Sequence, residues 1–139
     1  MEDAMATKIP EEVKLFMTGK PGWVATASKD GMPNVAIKGS LAVLDDEHIM
    51  FADLFSVKTR TNLEENPQVA IMVYDGETRK GYSLKGHAEL ITEGPLYEQT
   101  VEGIKNKVAN FPKAKYVVKI VVESIFDQSL GAEAGKQIA

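Results

Sequence analysis

The 139-residue chain has no cysteine. That excludes disulfides, thiolate nucleophiles and cysteine-ligated metals, and it fits a reducing compartment. No apolar run approaches the roughly 20 residues of a membrane span. The start, MEDAMATKIPEEV, is polar and acidic and lacks the apolar stretch of a signal peptide. The expectation is a soluble, cytoplasmic protein. Histidine is scarce: His48 and His87 are the only two, and they do not have metal-ligand spacing to each other. H-E-x-x-H, G-x-S-x-G and G-x-x-x-x-G-K-[ST] are all missing. Basic residues are outnumbered, 16 Lys and Arg against 20 Asp and Glu, for a net charge of −4. This argues against nucleic acid as the main partner, because phosphate neutralisation needs a basic face. Asp45, Asp46 and Glu47 cluster in a hairpin turn, where solvation accounts for them.

What is present reads as one domain over residues 1–139, with residues 1–8 and 129–139 as tails that order only if something holds them. Val13, Phe16 and Met17 recur at helical spacing, which predicts a short helix over 9–18 stopped at Gly19. A first strand is expected over 22–28, then a turn with Asp30-Gly31 at its heart. A second strand is expected over 34–44, with Gly39 as a bulge or close-approach point, and a third over 49–53. A helix over 57–66 follows, ended by Pro67. The stretch QVAIMVYD reads as a central strand. GYSLKGHAELIT reads as another, with Gly86 as a second candidate bulge. EGPLYEQTVEGIKNKV reads as a helix whose Leu96, Thr100, Ile104 and Val108 recur at fours, and Pro95 suits its first turn. A long apolar strand over 114–128 closes the fold. Six strands joined mostly by hairpins favour an antiparallel barrel over a doubly wound sheet.

One segment contradicts local electrostatics. In SVKTRTNLEENP, Ser56 is the natural N-cap, yet the first turn carries Lys58 and Arg60, while Glu64 and Glu65 lie toward the other end. A helix N-terminus is the positive pole of the macrodipole, so both placements are backwards, by about 0.3–1 kcal/mol each. Two readings are open. The turn is a solvated surface with misplaced cations, or it is an anion site built from free N–H groups, hydroxyls and cations. Ala52 and Asp53 end the preceding strand. Lys38, Gly39 and Ser40 form a second polar cluster on the strand before that, and Gly39 would let a flat ligand approach the backbone. Consecutive strands usually pair, which would bring the two clusters together.

The ordered set D-G-x-P, K-G-S, F-A-D, K-T at a helix start, N-P at its end, K-G-x-A-E and E-G-P-L resembles the FMN-binding split-barrel proteins, the small relatives of pyridoxamine 5′-phosphate oxidase. The resemblance covers residues 9–126. It implies a mainly β fold with flanking helices, a six-stranded antiparallel split β-barrel, and a homodimer with FMN in the clefts between subunits. It places the phosphate at Ser56, Lys58 and Thr59. It places the ring and ribityl chain along Ile37, Lys38, Gly39 and Ser40 and along Ala52 and Asp53. Gln128 and Leu130 are its candidates for closing the partner's site. The oxidases proper carry a C-terminal segment with tryptophan and arginine. Here no arginine follows Arg79 and the only tryptophan is Trp23, so pyridoxamine 5′-phosphate oxidation itself is not expected. Thr59 also stands where the oxidases tend to have a second basic residue. The activity implied is that of a flavin-dependent oxidoreductase, a flavin or quinone reductase using a nicotinamide donor. The alternatives are a non-enzymatic FMN electron carrier serving a redox protein, or a barrel holding a deazaflavin. Haem is disfavoured, since no histidine is placed for an axial bond.

Overall fold

A computed structural model describes residues 6–139. The elements run in the order α1 (Glu11–Met17), β1 (Gly22–Ala27), β2 (Pro33–Lys38), β3 (Ala42–Val43), β4 (His48–Asp53), α2 (Lys58–Glu65), β5 (Gln68–Asp75), β6 (Lys80–Ile91), α3 (Pro95–Lys107) and β7 (Tyr116–Asp127). All strand pairings are antiparallel and the sheet order is β2-β1-β5-β6-β7-β4-β3.

That order dictates the shape. β2 and β3 are opposite edges of one sheet, yet only residues 39–41 separate them in sequence. A link that short spans at most roughly 15 Å, so the sheet must curl until its two edges nearly meet. The curl encloses the core. Val69, Ile71 and Val73 point inward from β5 at the two-residue period of a strand. They meet Ile49 and Phe51 from β4, Leu84 from β6, and Val118, Ile120, Val122 and Ile125 from β7. Ile9, Val13 and Met17 bring α1 onto the same cluster.

The structure is the expected mainly β split barrel, with one correction of count. The strand expected over 34–44 is two strands, because the chain turns at Gly39 and Ser40. The sheet therefore has seven strands instead of six. The expected pairing of the second and third strands holds only for the end of the second: the short β3 pairs with β4, while β2 pairs with β1. Gly31 has φ +93 in the hairpin after β1, as an Asp-Gly turn requires. Gly86 marks a register shift between β6 and β7, and a Cβ there would lie 1.9 Å from the Val121 carbonyl oxygen.

The segment over 129–139 is held. The Ile138 amide donates to the Ile125 carbonyl at 2.8 Å, the Asp127 amide to Lys136 at 2.8 Å and the Leu130 amide to Arg79 at 2.9 Å. At the other end the Thr7 amide reaches the Val122 carbonyl at 2.8 Å. Residues 1–5 of the expected N-terminal tail lie outside the described residues.

Candidate functional site

The place where the two sheet edges approach is a cleft of about 640 Å³, within the range of small-ligand sites. One wall is Ile37, Lys38, Gly39 and Ser40 with Ala52, Leu54 and Phe55. The other is α3 and the loop after it, through Thr100, Gly103, Ile104, Lys107, Val108 and Phe111. Phe55 and Phe111 meet edge to face at 5.3 Å between ring centroids. Tyr97 fixes α3: its ring packs with Met50 and Val117, and its hydroxyl donates to the Ala114 carbonyl at 2.6 Å.

Ser40 and Ala52 are joined directly, the Ala52 amide donating to Ser40 Oγ at 2.9 Å. The two polar clusters are thus side by side, though through the turn between β2 and β3 and not through pairing of β2 with β4. Lys38 is only 9 % exposed. Its ammonium donates to Ser56 Oγ and lies 5.6 Å from the centre of the Phe51 ring. Burial pushes the Lys38 pKa below its ordinary value; the Asp53 carboxylate opposes that shift and the Arg60 guanidinium adds to it. Perturbed lysines in clefts mark functional sites more often than chance.

Ser56 is not the cap of α2. The N-cap is Val57, and no side chain caps this helix. The Ser56 hydroxyl is turned instead to Lys38. The N–H groups at the start of α2 therefore have no side-chain partner within the chain. The two misplaced cations separate. Arg60 forms a two-pronged pair with Asp53, Nε to Oδ2 at 2.7 Å and the second nitrogen to Oδ1 at 3.3 Å. Asp53 is buried, so Arg60 neutralises a carboxylate of the fold and is not free for a phosphate. Lys58 is exposed and has no carboxylate partner among the described residues.

Of the residues expected at the site, Ile37, Lys38, Gly39, Ser40 and Ala52 line the cleft. Ser56 and Lys58 follow shortly after its Leu54–Phe55 rim in the chain, while Thr59 and Asp53 are buried and do not line it. Gln128 and Leu130 are elsewhere in the chain, their amides bonded to Gly81 at 2.8 Å and Arg79 at 2.9 Å. The α3 wall was missed. Its signal was the run Thr100, Ile104, Val108 at fours, read only as helix spacing. His48 and His87 are each bonded through Nδ1 to a carboxylate, Asp45 and Glu123 respectively, and neither lines the cleft.

The sequence model for pyridoxamine 5′-phosphate oxidase matches residues 9–128. The chain belongs to the pyridoxamine 5′-phosphate oxidase family. An uncharacterised protein, MJ0282 of Methanocaldococcus jannaschii, is 37% identical over 95% of this chain and 89% of its own. HupZ of Group A Streptococcus, a solved structure, is 33% identical with a TM-score of 0.79, over 91% of this chain and 99% of HupZ. A putative pyridoxamine 5′-phosphate oxidase from Lactobacillus delbrueckii is 25% identical, TM-score 0.72, over 90% of this chain and 99% of its own. More distant members of the family fold carry different names. They include an FMN-binding protein from Syntrophomonas wolfei, an F420 reductase and the haem storage protein HutZ from Vibrio cholerae, at 22%, 21% and 20% identity with TM-scores of 0.65, 0.66 and 0.66.

Proposed function

We propose that this protein binds FMN at the cleft and acts as a flavin-dependent oxidoreductase, without being pyridoxamine 5′-phosphate oxidase itself. The observation that carries the reading is the start of α2. It has no side-chain cap, its Arg60 is already used by Asp53, and its Lys58 has no acidic partner among the described residues, so an anion is the group that would complete it. That start adjoins an apolar cleft with a glycine on each wall. A phosphate joined to a flat ring matches both halves.

In this reading Lys58 and the free N–H groups of α2 hold the phosphate, with the Ser56 hydroxyl beside them. The backbone of Ile37–Ser40 and Ala52 lies along the ring. Lys38, buried at the base of that wall, orients polar groups of ring or substrate. When bound, FMN supplies the redox chemistry. The chain's task is to position it and exclude water, which is consistent with the lack of an acid–base constellation in the sequence. Neither histidine of this chain lines the cleft.

The dimer belongs to the same proposal. Trp23 on β1 and Ile37 on β2 face each other across the ribbon, 40 % and 57 % exposed, and Val35 beside them is also exposed. Ile37 also lines the cleft. An apolar face continuous with the site is where a second copy would close it, with Gln128 and Leu130 as the residues the partner would bring.

The first test is the purified protein. A yellow preparation that releases FMN on denaturation is the expected result. A colourless protein that does not take up added FMN overturns the proposal. Steady-state oxidation of NADH or NADPH with a free acceptor then separates an enzyme from an electron carrier.

A further inference from the structure

Gly103 sits inside α3, and glycine is the least favourable helix-interior residue after proline. A fold usually needs such a glycine for one of two reasons. Another backbone comes too close for a Cβ, as at Gly86, or the residue has positive φ, as at Gly31. Gly103 has neither: its φ is not among the positive ones, and a Cβ built there would have no heavy atom within 4 Å. Gly39, on the facing wall, shares both properties. Two glycines that the fold does not require therefore look into one cleft from opposite sides.

The rest of α3 points the same way. Thr100 and Ile104, at i and i+4, have the spacing of a face that belongs against a core, but they line the cleft instead, with Val108 just past the helix end beside them. The helix is anchored by Tyr97 with Leu96 and Val101. Its cleft face thus has no side chain at Gly103, lies between Thr100, Ile104 and Lys107, and is covered by none of the described residues.

We infer that α3 is the second wall of a slot for the flavin ring, with the ring held between the Gly103 face and the segment Ile37–Ser40. Gly103 is then a specificity-determining residue whose missing side chain leaves the slot room for the ring. The inference rests on the FMN reading and adds to it a contact surface on α3, apart from the start of α2 where that reading puts the phosphate.

Three purified apo proteins test it: wild type, Gly103→Ala and Gly103→Leu. Each is melted, and each is titrated with FMN and with riboflavin, which has the ring but not the phosphate. Gly103→Ala should melt about 3 °C higher than wild type, because alanine is the better helix former. It should bind FMN about tenfold more weakly, and Gly103→Leu about a hundredfold more weakly, as the added atoms fill the slot. Riboflavin should weaken by the same factors, which a disturbance at the phosphate end would not produce. Wild-type binding of FMN with both variants within about twofold of it overturns the inference and leaves the FMN reading standing. Lower melting of Gly103→Ala also overturns it, since the glycine would then serve the fold. No FMN binding by wild type overturns both.

Discussion

Lys58 and Arg60, two positions apart in the first turn of α2, predict opposite phenotypes. Lys58→Ala should leave the fold intact and weaken FMN binding by about 1.5–3 kcal/mol, the range for a hydrogen bond to a charged group. Unchanged affinity would put the phosphate elsewhere. Arg60→Ala should act without any ligand present. It leaves Asp53, whose side chain is 3 % exposed, as an uncompensated buried carboxylate, and the loss of stability in urea should be about 2–4 kcal/mol. A loss below about 1 kcal/mol would mean that the pair behaves as a surface contact. Lys38 adds a pH dependence. Burial lowers its pKa in the folded state, so folding disfavours its charged form. The penalty is fully present below the folded pKa and is lifted as pH rises from there toward the ordinary value of 10.5. Lys38→Met should remove that alkaline gain, read as a difference in unfolding free energy between the two proteins across the window. Parallel profiles would show that Lys38 is not desolvated. The acidic pair further along α2 divides too: Glu64 accepts from the Tyr116 hydroxyl, and nothing in the structure accounts for Glu65.

Among the elements, β6 and β7 depend on one small residue. The bulge at Lys85/Gly86 lets β6 change register against β7, and the Val121 carbonyl occupies the space where a side chain would begin. Gly86→Ala must move a backbone in the centre of the sheet and should cost at least ~3 kcal/mol. Equilibrium unfolding measures this directly, and a change under ~1 kcal/mol would mean the bulge relaxes at little cost. Helix α3 is the opposite case. It is held by one buried aromatic, Tyr97, and its remaining apolar stripe faces the cleft. The segment after β7, small and polar in sequence, is tied down by backbone hydrogen bonds around Ile125 and Asp127.

For the whole molecule, the prediction concerns a second copy. The face carrying Trp23, Val35 and Ile37 is apolar and exposed in the single chain. Ile37→Glu should convert a dimer to a monomer in sedimentation, and emission from Trp23, the only tryptophan, should shift to longer wavelength as its ring meets water. A wild-type protein that sediments as a monomer while holding FMN would place both the interface and the completed site wrongly. No helix among the described residues is long and apolar enough to cross a membrane.

By itself the sequence determined the element order apart from the break of the second strand at Gly39, the antiparallel barrel and most of one cleft wall, because strand alternation, Asp-Gly turns and the Gly86 bulge are local signals. It also exposed the charge anomaly at the start of α2. It could not say that Arg60 belongs to Asp53, that Ser56 turns away from its helix toward Lys38, or that Thr100, Ile104 and Val108 face a cleft instead of a core. The pairing of Arg60 with Asp53 depends on how a helix start folds back on a strand end. The orientation of α3 depends on which side Tyr97 buries. Helical spacing shows that a face exists; only the packing of the other elements decides what that face meets.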